Sequence, residues 1–213
     1  MPPRLPAWTG ILLSVLVAPL AAQRVELQVF LGSAISAPSP LTISQDGQPD
    51  IHFTAHWATR PTESTRYFAW RIGLWRGNRG WALDHTHHKI YLTNFPPEVQ
   101  AFRITNGVNM LTLSRTFRHG PFSYSFGAGP VFAFPISTIR GKKLTHDRGV
   151  GGYVLWGGSL MVMATRRFRL VRGLSLSLDA RASASYLRVP VVEGNAAVPL
   201  AALHLHAGLG YGF

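Results

Sequence analysis

Long runs of this chain alternate strictly between apolar residues and polar or small ones. That alternation marks a β-strand with two unlike faces. Over residues 174–186, Leu174, Leu176, Leu178, Ala180, Ala182, Ala184 and Tyr186 share one face, and Ser175, Ser177, Asp179, Arg181, Ser183 and Ser185 share the other. Residues 122–134 set Phe122, Tyr124, Phe126, Ala128, Pro130, Phe132 and Phe134 against Ser123, Ser125, Gly127, Gly129, Val131 and Ala133. The final stretch sets Leu203, Leu205, Ala207, Leu209, Tyr211 and Phe213 against Ala202, His204, His206, Gly208, Gly210 and Gly212. Such strands are longer than the roughly 3–10 residues usual in soluble sheets. In a soluble sandwich the aromatic face would be a core. In a membrane barrel it meets hydrocarbon, while small and polar residues fill a narrow lumen.

The same pattern, more briefly, gives candidate strands at 24–33, 51–58, 66–76, 81–92, 107–117, 152–165 and 199–213 beside the two runs at 122–134 and 173–187. That makes nine, whereas single-chain bacterial barrels have an even number. Connection lengths resolve the parity. Gly77–Gly80, Arg118–Pro121 and Arg166–Arg172 are short, as turns on the periplasmic side are. With both ends of the barrel periplasmic, eight strands alternate correctly. The segment 51–58 then falls in the first external loop, as a strand above the rim; the alternative is a place inside the wall and a different barrel. Residues 1–22 read as a secretory signal: Arg4, an apolar run from Ile11 to Ala18, and the small-residue exit Pro19-Leu20-Ala21-Ala22. The run is shorter than the ~20 residues a spanning helix needs. The expectation is therefore an all-β chain, a signal peptide at 1–22 followed at 23–213 by an eight-stranded, antiparallel, up-and-down transmembrane barrel with long external loops and short periplasmic turns. The ending on Phe213, with Tyr211 before it, resembles the signal read by barrel-assembly machinery, an expected partner during biogenesis.

Composition sharpens this picture. There is no cysteine, which excludes disulfides and thiolate metal sites. The formal charge is +12, so a polyanion is the expected partner, either nucleic acid or lipopolysaccharide phosphate. Distribution separates the two. Arg76, Arg79, Arg115, Arg118, Arg166, Arg167, Arg169 and Arg172 cluster at the periplasmic turns, and Arg140, Lys142, Lys143 and Arg148 sit in an external loop. Two edge rings fit lipid headgroups and not a nucleic-acid groove, for which no motif is present. The expected lumen set is Glu26, Gln28, Arg71, Asp84, Thr86, His88, Asp179, Arg181, His204 and His206, with both signs of charge present. It reads as a plug of ion pairs; the sharper alternative is a proton or metal site on His88, His204 and His206, with no third ligand fixed by spacing. No metal is assigned and no cofactor is specified.

Four stretches carry a family resemblance. Leu83-Asp84-His85-Thr86-His87-His88-Lys89-Ile90-Tyr91 resembles an acidic-aromatic-Thr-His-x-Lys-Val-Tyr strand, and Thr105-Asn106-Gly107-Val108-Asn109-Met110-Leu111-Thr112-Leu113 resembles Thr-Asp-Gly-Leu-Asn-Ile-Leu-Thr-Leu. Phe126-Gly127-Ala128-Gly129-Pro130 with Pro135, and Phe53-Thr54-Ala55-His56-Trp57, match similarly. These are similar to a family of small outer-membrane barrels that includes a lipid A oxidase, over residues 51 to 140. Here His85 replaces an aromatic and His56 a glycine. The resemblance implies outer-membrane residence and binding or oxidative modification, with oxygen, of the proximal glucosamine of lipid A. Its matching positions offer His87, Lys89 and Tyr91 as candidate catalytic residues. If 81–92 runs outward, these three share the lipid-facing side near the outer rim, with Asn109 level on the next strand. Lys89 would pair with a phosphate, while His87 and Tyr91 contact the sugar and move protons. Asn109, Arg140, Lys142, Lys143 and Arg148 complete the expected lipid A-binding set. The bland alternative is an interfacial girdle that only anchors the barrel. A structural or adhesive barrel is the competing function; a porin fits least, because eight strands leave a filled lumen.

Overall fold

A computed structural model of the chain describes residues 24–63, 66–144 and 154–213. The strands in chain order are β1 (Arg24–Ser36), β2 (Ser39–Gln45), β3 (Ile51–Ala55), β4 (Trp57–Ala58), β5 (Phe68–Arg76), β6 (Arg79–Leu92), β7 (Val99–His119), β8 (Phe122–Ile139), β9 (Lys142–Leu144), β10 (Val154–Arg169), β11 (Leu174–Val191) and β12 (Gly194–Gly212). Eight of them close a ring in the order β1-β5-β6-β7-β8-β10-β11-β12, and β12 pairs back onto β1 from Glu26↔Gly212 to Ser36↔Ala202. Every pairing is antiparallel. Closure leaves no open edge, the condition for a sheet to cross hydrocarbon. The expected all-β, eight-stranded barrel is the observed fold. The signal-peptide segment 1–22 lies outside the described residues.

The segment 51–58 is not a ninth wall strand. β2 continues the path of β1 along β12, with Thr42 opposite Ala197 and Gln45 opposite Gly194. β3 pairs with β2, and β4 pairs with the outer end of β6 through Trp57↔Leu92. β2 and β3–β4 thus take over, above the rim, the places of β1 and β5.

The outside of the lower wall is apolar and open. Val29, Leu31, Leu113, Phe126, Leu160, Val162, Leu205 and Leu209 are each more than half exposed. A continuous belt of this kind on a closed sheet is a surface for lipid, not for water. The inside carries two unlike fillings. The lower lumen is polar, with Glu26, Arg71, Asp84, Asp179 and Arg181 buried. The upper barrel has an apolar core that includes Leu41, Ile43, Ile90, Phe102, Ile104, Leu187, Val189 and Val198. β11 shows the switch within one strand. Tyr186 faces out and is 56% exposed, whereas the next residues on the inner phase, Leu187 and Val189, are fully buried and Arg188 faces out. Side-chain phase is unbroken while polarity inverts: lipid surrounds the barrel up to Tyr186, and water surrounds it beyond.

Candidate functional site

The outward phase of β5–β6–β7 holds a polar cluster at the upper margin of the lipid belt. Register sets His87 between Phe68 and Asn109, and His85 between Trp70 and Leu111. The imidazoles lie flat on the aromatic rings: His87 stacks on Phe68 at 5.1 Å and His85 on Trp70 at 5.4 Å. A bulge in β7 between Ile104 and Val108 makes room, with Gly107 at φ 102°. A Cβ at Gly107 would lie 2.3 Å from His87 Nδ1, so only glycine admits this ring.

Asn109 fixes the protons. Its Nδ2 donates to the carbonyls of Asn106 and Gly107, which sets the amide's orientation. Its Oδ1 therefore accepts from His87 Nδ1 at 2.9 Å and from His85 Nε2 at 3.2 Å. In a neutral ring the other nitrogen is then the acceptor. His87 Nε2 and His85 Nδ1 are buried and have no hydrogen-bond partner among the described residues.

Above them residues 59–63 lie across the outer end of β6. Lys89 Nζ donates to the Glu63 carbonyl at 3.0 Å, and the Tyr91 hydroxyl donates to Glu63 Oε2 at 2.8 Å. Arg60 stands 4.5 Å over the Tyr91 ring and bonds Glu63 at 3.2 Å. The Tyr91 hydroxyl, with Arg60 adding to it, holds the Glu63 carboxyl below its ordinary range. His87, Lys89, Tyr91 and Asn109 thus share one face. Lys89 is fully buried, however, and its ammonium is turned onto the loop backbone.

The expected lumen residues divide into two groups. Glu26, at the periplasmic end, takes Arg118 at 2.8 Å and Arg167 at 2.7 Å. Those two arginines, expected at the lipid edge, turn inward because they lie on the lumen phase, two residues beyond Thr116 and Thr165. Deeper, Arg71 bonds Asp84 at 2.6 Å, Arg181 bonds Asp179 at 2.5 Å, and Thr165 donates to Asp179 at 2.6 Å. His206 reaches Asp179 at 3.3 Å. His88, His204 and His206 do converge, around Tyr67, whose hydroxyl bonds His204 Nδ1. His204 also bonds Ser183 at 2.8 Å, and His88 bonds Ser36 at 3.0 Å. Sequence reasoning missed Tyr67, although residue 67 falls within the candidate strand 66–76 and on the same phase as Arg71 of the expected lumen set.

The loop cations stand apart from this face. Arg140 bonds Gln45 and the Pro49 carbonyl, Lys142 pairs with Glu193, and Lys143 is exposed in β9. All three lie at the outer end of β8 and β9, away from Asn109. Arg148 falls outside the described residues.

A closed eight-strand ring with a lipid belt, a plugged polar lumen and a short-turn side defines an integral outer-membrane β-barrel. Among solved structures the chain is similar to Neisserial surface protein A (14% identity, 90% of this chain and 97% of that one, TM-score 0.42). It is also similar to AlkL (11%, 100% and 97%, 0.49) and to Ail, the attachment invasion locus protein of Yersinia pestis (12%, 89% and 98%, 0.40). No protein-family model and no curated protein matches the chain.

Proposed function

We propose that this barrel binds lipid A of lipopolysaccharide against the outer face of β5–β7 and modifies it oxidatively. The carrying observation is the unpartnered Nε2 of His87 on the outward side of the wall, with the ring held by Asn109 and Phe68. Polar groups on that side are costly in hydrocarbon and need a polar ligand to offset them. The cluster sits where the wall passes from lipid to water, the depth of the lipid A sugar. In this reading the sugar displaces the groups that cover His87 Nε2, which takes a proton from it while two electrons pass from the sugar to oxygen, and Tyr91 hydrogen-bonds the sugar. Arg60, half exposed, presents positive charge to a phosphate, while Lys89 holds the loop beneath. Oxygen as oxidant follows from the family resemblance, not from the geometry.

The test is the lipid A mass profile of a producing strain carrying wild type, His87→Ala or Asn109→Ala. Loss of the oxidised glucosamine product in His87→Ala, with the barrel still inserted, is the expected result. Unchanged product removes His87 from the chemistry. If deletion leaves lipid A unaltered but changes cell-surface contact, the barrel is structural or adhesive.

A further inference from the structure

The opposite, periplasmic end of the same wall carries a second constellation, unrelated to the outer-face cluster. Arg76 and Arg79 stand directly opposite each other across the β5–β6 turn, and both are exposed. Arg115 lies diagonal to Arg79 on β7, where the register sets Arg115 opposite Trp81 and Phe117 opposite Arg79. All three are on the lipid-facing phase. Like charges directly across a ladder repel, and among the described residues no carboxylate lies within ion-pair distance of any of them. Arg115 is positioned by a 3.0 Å hydrogen bond to the Gly80 carbonyl and by the Trp81 face at 5.1 Å. Together these residues line a notch of about 350 Å³.

An apolar groove of about 410 Å³ adjoins it and shares Trp81 and Arg115. Its floor is Ala128, set between the larger Leu113 and Leu160 on the two flanking strands. Phe126 closes the side next to Arg115. A cationic notch toward the periplasm thus opens straight into a hydrocarbon-lined groove that crosses β6, β7, β8 and β10.

We propose that this composite is a binding site for one anionic glycerophospholipid of the inner leaflet. Its phosphate is held by Arg76, Arg79 and Arg115, its glycerol region rests against Trp81, and an acyl chain lies over Ala128. Three unneutralised arginines choose an anionic headgroup over a zwitterionic one. The groove chooses a lipid over a free phosphate ester.

Native mass spectrometry of the detergent-solubilised protein tests this with phosphatidylglycerol, phosphatidylcholine and glycerol phosphate as probes. Phosphatidylglycerol adducts are expected to outlast phosphatidylcholine adducts by on the order of tenfold. R76Q/R79Q/R115Q should abolish that preference. Ala128→Leu, which fills the groove at an outward position and leaves the arginines alone, should weaken retention without changing the fold, so the test survives even if the triple variant does not insert. Equal retention of both lipids, or full retention in Ala128→Leu, overturns the proposal. Displacement of the lipid by glycerol phosphate at equal concentration also overturns it, reducing the notch to a simple anion site.

Discussion

Removing Asp179 should destabilise the barrel out of proportion to the size of the change. Its carboxylate accepts from Arg181 at 2.5 Å and from Thr165 at 2.6 Å, lies 3.5 Å from Arg71, and meets His206 at 3.3 Å. All four charges of this group, Arg71, Asp84, Asp179 and Arg181, are almost wholly buried. Asp179→Ala leaves two guanidinium groups sharing Asp84. Arg71 keeps its 2.6 Å bond, but Arg181 retains only a 3.9 Å approach. An uncompensated buried charge costs about 3–5 kcal/mol, and the displaced Thr165 and His206 bonds add about 1 kcal/mol each. The double variant Asp179→Ala/Arg181→Met removes one charge of each sign and leaves Arg71–Asp84 intact. It should recover more than half of the loss, although either single change alone is severe. Urea unfolding from phospholipid vesicles, followed by tryptophan fluorescence, measures all three proteins. A loss below about 1 kcal/mol in Asp179→Ala, or a double variant no better than the single, would refute the view that charge balance holds this lumen together.

Two further outcomes follow from the site. Gly107→Ala forces a Cβ into His87 at φ 102°; it should cost roughly 1–3 kcal/mol and free the His87 ring from Phe68, seen as loss of ring-current shift on the His87 protons by NMR, and an unshifted His87 would contradict the packing. Glu63 is held below its ordinary value of 4.5, chiefly by the Tyr91 hydroxyl. Its folded pKa is depressed, so the loop contact is fully present above 4.5 and is lost as pH falls through the lower, folded value. The Tyr91 ring resonance should therefore titrate with a midpoint under 4.5 and stop titrating in Glu63→Gln; a midpoint at or above 4.5 counts against the contact.

The lower barrel was legible because lipid outside and small polar residues inside reinforce one period. Residues 174–186 and 122–134 gave their faces correctly, and loop parity gave eight strands. Neighbour relations then placed Asn109 beside His87 before any coordinates. Other features were hidden for physical reasons. β2 is flanked and interrupted by Pro38 and Pro40, which obscure its alternation. The apolar upper core follows from Leu187, Val189 and Val191 on the phase that was polar below, a switch that counting faces without tracking polarity overlooks. Arg118 and Arg167 were assigned by their nearness to turns, when the threonines two residues earlier already gave their inward phase. The bulge that seats His87 depends on a backbone angle at Gly107 that no periodicity reports.

The reversal at Tyr186 and Leu187 also fixes how deep the molecule rides. Lifting the barrel by one pleat would draw Tyr186 into water, and sinking it by one would pull Arg188 into the hydrocarbon, so departures in both directions are opposed. The outer tier, with its own dry centre, rests on the bilayer as a small water-adapted cap. The seam between cap and trunk, where His87 lies, is thereby held at a constant level relative to the membrane surface.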